Sequence, residues 1–187
     1  MRPKLHIVVA STRPGRIGPA IAQWVLQAAQ ADGKFEPVLV DLADFALPVY
    51  DEPHHPRLKK YEHEHTRAWS ASVEAADAFV FVVPEYNYGP TPALVNALNY
   101  VYQEWNYKPA AFVSYGGVSG GMRSVQETKG TLLALKMAPI NEGVVIPMVF
   151  AQLKDGAFEP APIQTESAEV MFTELARWTE AMKVLRA

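Results

Sequence analysis

The stretch Asp77 to Pro84, DAFVFVVP, holds almost no polar residue, and this constrains the fold more than any other feature. A strand that is apolar on both faces must be covered on both faces. That arises where parallel strands are joined by helices crossing above and below one sheet. Leu5 to Ala10 is a second such run, rich in β-branched residues, and Phe35 to Leu42, Ala110 to Tyr115 and Gly143 to Met148 read as three more strands. Between the first two, Ile17, Ile21, Trp24, Val25 and Ala28 recur at spacings of three and four, which predicts a helix over 17–31 ended by Asp32-Gly33. Helical spacing also predicts helices over 91–102, 122–137 and 166–185.

Strands alternating with helices imply right-handed crossovers and an open, doubly wound α/β domain with helices on both faces. Five parallel strands suit the flavodoxin-like order 2-1-3-4-5, in which ligands sit beyond the carboxyl ends of the strands where the winding reverses. The loops after the first, third and fourth strands are therefore expected to meet at one site. No repeat, low-complexity tract or linker interrupts the pattern, so residues 1–187 are expected to form a single domain.

Composition narrows the partners. A formal net charge of -3 argues against a general nucleic-acid or membrane-surface binder, so any anion site must be local. The absence of cysteine excludes disulfides, thiolate metal ligands and thiol nucleophiles, and it suits a reducing cytosol. The opening MRPKLHIVV is too short for a membrane span and lacks a small-residue cleavage site. Neither signal peptide nor anchor is expected, and the expected location is cytoplasmic.

The three loops are where the chain becomes chemically unusual. In the first, Ser11 and Thr12 offer hydroxyls, Arg13 and Arg16 offer charge, and Gly15 and Gly18 let the backbone bend, all at a helix start whose amides suit an anion. The pattern is neither the dinucleotide fingerprint nor the P-loop, so a single terminal phosphate fits better than a pyrophosphate. An ordinary helix capped by Ser or Thr, with its arginines in solvent, accounts for the same residues. The second loop, PEYNYGPTP from Pro84, combines tyrosines, an asparagine and rigid turn residues, which suits a planar heterocycle, although Tyr86 and Tyr88 covering a sheet edge would look alike. The third, SYGGVSGG from Ser114, has four glycines, more than a tight turn needs, which favours close approach to a ligand.

With ASTRPGRIG, LPVYDEP at 47–53, residues 76–100 and KPAAFVSYGGVSGGMRSVQ at 108–126 in family order and spacing, the chain resembles the NADPH-dependent FMN reductases. These are small flavodoxin-like flavoenzymes that include quinone, azo and chromate reductases. The resemblance covers roughly residues 4–150. It implies bound FMN with Ser11, Arg13, Arg16, Ile17 and Gly18 at the phosphate. It also implies Pro84, Glu85, Tyr86 and Asn87 along the ribityl chain and ring edge, and Ser114, Tyr115, Gly116 and Gly117 on the ring's other side. NADPH or NADH would be the co-substrate, a quinone, azo compound, free flavin or metal oxyanion the acceptor, and the flavin rather than a protein group would carry the chemistry. Homodimers or homotetramers are implied, with residues 43–60 and 91–104, including Tyr100, Tyr102 and Trp105, as the expected contact surfaces, although these aromatics packing within the monomer fits nearly as well. The family's Leu-Lys-Asn-Ala-hydrophobic-Asp is Leu94-Val95-Asn96-Ala97-Leu98-Asn99 here, without the Lys and the Asp.

Other constellations carry less. His54, His55, His63 and His65 crowd one polar segment, but His63 and His65 are two apart and would not share a helix face, so a solvated segment is expected rather than a metal site. Ser119 lies in a glycine turn without the G-x-S-x-G elbow of a hydrolase. The rival functions are a flavodoxin-type electron carrier that does not oxidise nicotinamide itself, and a flavin-free nucleotide or phosphate binder.

Overall fold

Residues Ala78–Pro84 form β3, the central strand of a five-stranded sheet, and all of them are buried. The computed structural model describes residues 2–186. With β1 (Lys4–Val9), β2 (Glu36–Asp41), β4 (Pro109–Tyr115) and β5 (Ala138–Ile146), the sheet runs β2-β1-β3-β4-β5, and every neighbouring pair is parallel. This is the expected topology, and its winding reverses between β1 and β3.

Because side chains alternate along a strand, β3 feeds two cores. Val80 and Val82 join Ile7 and Val9 of β1 under α1 (Gly18–Asp32) and α5 (Pro162–Lys183), where Ile21, Val25, Met171, Phe172 and Leu175 close the layer. Phe79, Phe81 and Val83 face the other way, against Trp69, Val73, Leu94, Leu98 and Leu132 of α2 (Glu64–Ala75), α3 (Pro92–Tyr100) and α4 (Met122–Ala134). Trp69 and Trp105 pack edge to face, centroids 5.8 Å apart, and Phe79 lies 4.9 Å from Trp105. Tyr100 and Trp105 are thus core residues of the monomer, which leaves only Tyr102 of the three aromatics partly exposed. Each such buried ring or aliphatic side chain stabilises the fold by roughly 1.5–3 kcal/mol.

Several elements depart from expectation. β5 begins at Ala138 rather than Gly143, because it is the sheet's edge, where Pro139 can lack an N–H without breaking a ladder; its register shifts opposite Ala110 to Phe112. It ends at Ile146, since Met148 turns with φ 49°. Helix α2 had no counterpart in the sequence reading, and only Thr66, Trp69 and Val73 along it are buried. Helix α5 starts at Pro162 rather than Glu166, with the Gln164 side chain accepting from the Ala161 amide at 2.7 Å. A small hairpin, β6 (Leu153–Lys154) and β7 (Ala157–Phe158), turns through Asp155 and Gly156, both left-handed, and lays Phe158 against Trp24 of α1. Among the described residues no helix is long and apolar enough to cross a membrane.

Candidate active site

Helix α1 begins unusually. Its N-cap is Ile17, which has no side-chain cap, and no acidic residue follows in the first turn. Ser11, the natural capping candidate, is instead buried, with its Oγ 3.0 Å from the Tyr86 hydroxyl. The helix therefore presents its positive end without a side-chain cap; Pro19 has no N–H and the Ala20 amide donates to Ile17 O at 3.1 Å, so the Ile17 and Gly18 amides are the donors left for an anion. Arg16 donates from Nη1 to the Ser11 carbonyl (2.6 Å) and makes a two-pronged pair with Asp41, at the end of β2. That hydrogen bond raises the Arg16 pKa further. Arg13 is exposed and projects along the same loop. Gly18 is required by close packing, since a Cβ there would lie 2.9 Å from the Tyr115 hydroxyl.

After β3, residues 86–89 close a tight turn in which the Tyr86 and Gly89 amides and carbonyls pair at 2.9 Å in both directions. Asn87 (φ 49°) and Tyr88 (φ 73°) both sit in the left-handed region, as a type I′ turn demands. Neither is glycine, so the turn holds strain of the kind found at ligand sites. Thr91 caps α3 by accepting from Leu94 N, and its hydroxyl donates to Ala10 O at 2.5 Å, which ties this loop to the first. Glu85 turns away from the first loop: its carboxylate accepts from Ser119 Oγ (2.9 Å) and from Arg123. Burial alone would raise its pKa, but the bonds from Arg123 and Ser119 outweigh burial and hold the carboxyl below its ordinary value.

The glycine-rich loop after β4 serves two purposes. Gly120 and Gly121 have positive φ and press on the chain itself, a Cβ at Gly120 falling 2.5 Å from Val145 Cγ1 and one at Gly121 falling 2.8 Å from Tyr115 N. These two are needed for packing rather than for a ligand. Gly116 and Gly117 face the opening between the loops, and their carbonyls accept from Val149 and Met148, which brings the segment after β5 to the same place.

The three loops do converge. They enclose a cleft of about 200 Å³ lined by Ser11, Arg13, Arg16, Ile17, Pro84, Glu85, Tyr86, Tyr115, Gly116 and Gly117, with Val149 and Phe150 added from beyond β5. Three expected residues stand outside it. Gly18 lies behind Tyr115, Asn87 is exposed at the turn, and Ser114 points to the opposite sheet face. Strand alternation explains the last: Tyr115 faces the cleft, so Ser114 faces α4, where its Oγ is buried without a partner. Burial, and secondarily Tyr86, keeps the Tyr115 phenol well above its usual pKa, with Arg13 and Arg16 opposing. It remains a neutral donor at physiological pH. Sequence reasoning missed Val149 and Phe150, for which the Pro147-Met148 break after the last strand was the available signal.

A larger open hollow of about 1210 Å³ runs along α3, lined by Leu47, Tyr50, Arg57, Val95, Asn96 and Tyr102 among others, and it meets the first loop at Thr12. Asn96 fixes its wall, accepting from Tyr50 N (3.0 Å) and donating to Pro48 O (2.6 Å). The helix start in its lining, Pro92 and Ala93 of α3, is already capped by Thr91, and no glycine lines the hollow, so the chemistry favours the smaller cleft. In the histidine-rich segment, His63 precedes α2 rather than belonging to it, so its ring stacks on His65 at 5.2 Å despite the spacing, and His65 Nε2 lies 3.1 Å from Asp51 Oδ1. No group of three or more His, Asp or Glu side chains placed to hold a metal occurs among the described residues.

An uncapped helix end with a cation at one side of a switch-point cleft, and a tyrosine turn and paired glycines at the other, fits a flat molecule carrying one phosphate. Fold and site together define a flavodoxin-like, nucleotide-cofactor protein. Residues 3–151 match the family described as NADPH-dependent FMN reductase, and the chain belongs to that family. It is 38% identical over 162 residues to an NAD(P)H-dependent FMN reductase of Schizosaccharomyces pombe, covering 85% of this chain and 80% of the relative. It is 37% identical over 154 residues to one of Saccharomyces cerevisiae, covering 76% and 80%. An NADPH azoreductase of a Bacillus species is 26% identical over 97% of this chain and 98% of its own length. The flavoenzyme NAD(P)H:(acceptor) oxidoreductase FerB from Paracoccus denitrificans shares the fold, with a TM-score of 0.77 at 21% identity over 96% of this chain and 98% of that one. The protein is an FMN-dependent NAD(P)H oxidoreductase.

Proposed function

We propose that the cleft between the three loops holds the FMN and that the enzyme passes electrons from NAD(P)H to small, loosely selected acceptors such as quinones, azo compounds, free flavins or metal oxyanions. The observation that carries this reading is the closure of distant segments on one cleft, with Ser11 and Tyr86 joined at 3.0 Å. When bound, the flavin supplies a ring that accepts and returns hydride.

The chain's own contribution is placement. The Ile17 and Gly18 amides at the start of α1 and Arg13 hold the phosphate, while Arg16, locked to Asp41, fixes the loop that presents them. Tyr115 offers its neutral phenol to the cleft as a hydrogen-bond donor. Tyr86 on one side and Gly116-Gly117 on the other form the walls, and the buried Val149 closes one end. An open rim bearing the exposed Phe150 favours flat, apolar acceptors and demands little of their shape. Relatives described as NADPH:quinone oxidoreductase in rice and as azoreductase in Bacillus support this range.

The carrier reading is disfavoured by a first loop bearing two arginines and by a modest net charge of -3. Steady-state oxidation of NADPH by the flavin-loaded protein with a soluble quinone separates the two: turnover supports the enzyme, and none supports the carrier. The same proposal includes a cytoplasmic location and assembly into dimers or tetramers through the α3 hollow, whose exposed apolar lining includes Val49 and Val95. Light scattering on wild type and Val95→Glu tests the assembly. Loss of the oligomer in the variant supports it, and a monomeric wild type overturns it.

A further inference from the structure

Glu85 accepts every hydrogen bond it makes from one neighbouring segment. Oε1 meets the Arg123 guanidinium (Nε at 2.6 Å, Nη2 at 2.5 Å), and Oε2 meets Ser119 Oγ (2.9 Å) and the Arg123 amide (3.2 Å). Its side chain is 8% exposed although it lines the cleft. The amide contact has a local cause: α4 is capped by Gly121, which has no side chain, so the carboxylate of Glu85 does from another loop what a capping residue would do. The Arg123 guanidinium also lies 3.8 Å above the Tyr88 ring, over a residue held at φ 73°. One arginine thus grips both ends of the turn after β3 and joins it to the loop after β4.

We propose that Glu85, Ser119 and Arg123 form a latch that sets the separation of the two ring-binding walls, with Arg123 a positioning residue that acts through Glu85 and Tyr88 rather than on the flavin. This rests on the assignment of FMN to the cleft and assigns Glu85 a task other than the ribityl contact that the family resemblance implies. The pairing has a second consequence. Glu85 lines a site for an anionic cofactor, and the arginine cancels its charge, so loss of Arg123 leaves an unmatched carboxylate beside the cleft.

The test is a double-mutant cycle on FMN binding to the apoprotein, read by quenching of flavin fluorescence, with Glu85→Gln, Arg123→Ala and the double variant. The latch predicts that Arg123→Ala weakens FMN about tenfold, equivalent to ~1.4 kcal/mol, and that the double variant is no weaker than this single one because the unmatched charge is gone. Arg123→Lys, which keeps the charge but loses the fork and the stacking, recovers only part. Affinity of Arg123→Ala also improves as pH falls and Glu85 protonates, whereas the wild type lacks that trend. Independent, additive losses, or full recovery by lysine, overturn the latch while leaving FMN binding by the wild type intact. Failure of the wild type to bind FMN overturns the cleft assignment itself. Circular dichroism of each variant confirms folding, and Ser119→Ala, which removes one bond from the same carboxylate, supplies a milder variant predicted to weaken FMN in the same direction.

Discussion

Arg16 and Asp41 meet fork to fork, Nη1 to Oδ1 at 2.5 Å and Nη2 to Oδ2 at 2.7 Å. This divides labour between the two arginines of the first loop. Arg16 is about four-fifths buried at its side chain and is committed to the scaffold, whereas Arg13 is exposed and lines the cleft. Arg13→Ala should weaken FMN about tenfold, ~1.4 kcal/mol, and leave riboflavin binding unchanged, because riboflavin lacks the phosphate. Arg16→Ala should instead lower the thermal midpoint, since a charge-assisted hydrogen bond contributes ~1.5–3 kcal/mol. Equal loss of FMN and riboflavin on Arg13→Ala would count against the phosphate role.

Gly18 is set by contact rather than by conformation, with Tyr115 Oη at 2.9 Å and Val9 Cγ1 at 3.1 Å from where a Cβ would stand. Gly18→Ala should destabilise by ~1–3 kcal/mol, the usual cost of overpacking. Adding Tyr115→Phe should restore part of the loss in thermal denaturation, because it removes the atom met first. A neutral Gly18→Ala would show that the helix start is not pressed against the phenol.

His6 is buried on β1, and burial, then Lys108 and Lys4, lowers its pKa from 6.5 to about 4. The unfolded chain therefore binds a proton that the fold refuses as pH falls from 6.5 toward 4. Stability should drop across that window and be flat above it on this group's account. His6→Asn should shallow the slope in urea titrations run from pH 4 to 7; an unchanged slope assigns the acid sensitivity elsewhere.

Phe150 lines the cleft at 73% exposure, a position suited to meeting an apolar acceptor. Phe150→Ala should raise KM for a hydrophobic quinone about tenfold, equivalent to ~1.4 kcal/mol, and leave KM for ferricyanide unchanged. A parallel change for both acceptors would place the residue in cofactor binding instead.

The sheet order was legible because β1 and β3 are apolar on both faces, as the parallel strands of a doubly wound domain covered by helices above and below must be. The converging loops followed from that order. Helix α2 was hidden because Trp69 and Val73, one turn apart, are its only large buried apolar side chains, too few to register as a stripe. Ser114 and Glu85 show a different limit. Motif and spacing located both at the site, but the strand's alternation turned Ser114 to the far face and donors on Ser119 and Arg123 turned the Glu85 carboxylate to them. Those directions depend on packing between segments dozens of residues apart, which no local pattern records.

The most direct measurement is a crystal structure of the protein grown with FMN. It should place the phosphate within hydrogen-bonding distance of Arg13 and the Ile17 and Gly18 amides at the start of α1, with the ring between Tyr86 and Gly116-Gly117. Flavin seated in the α3 hollow, or with its phosphate away from the first loop, would contradict the account.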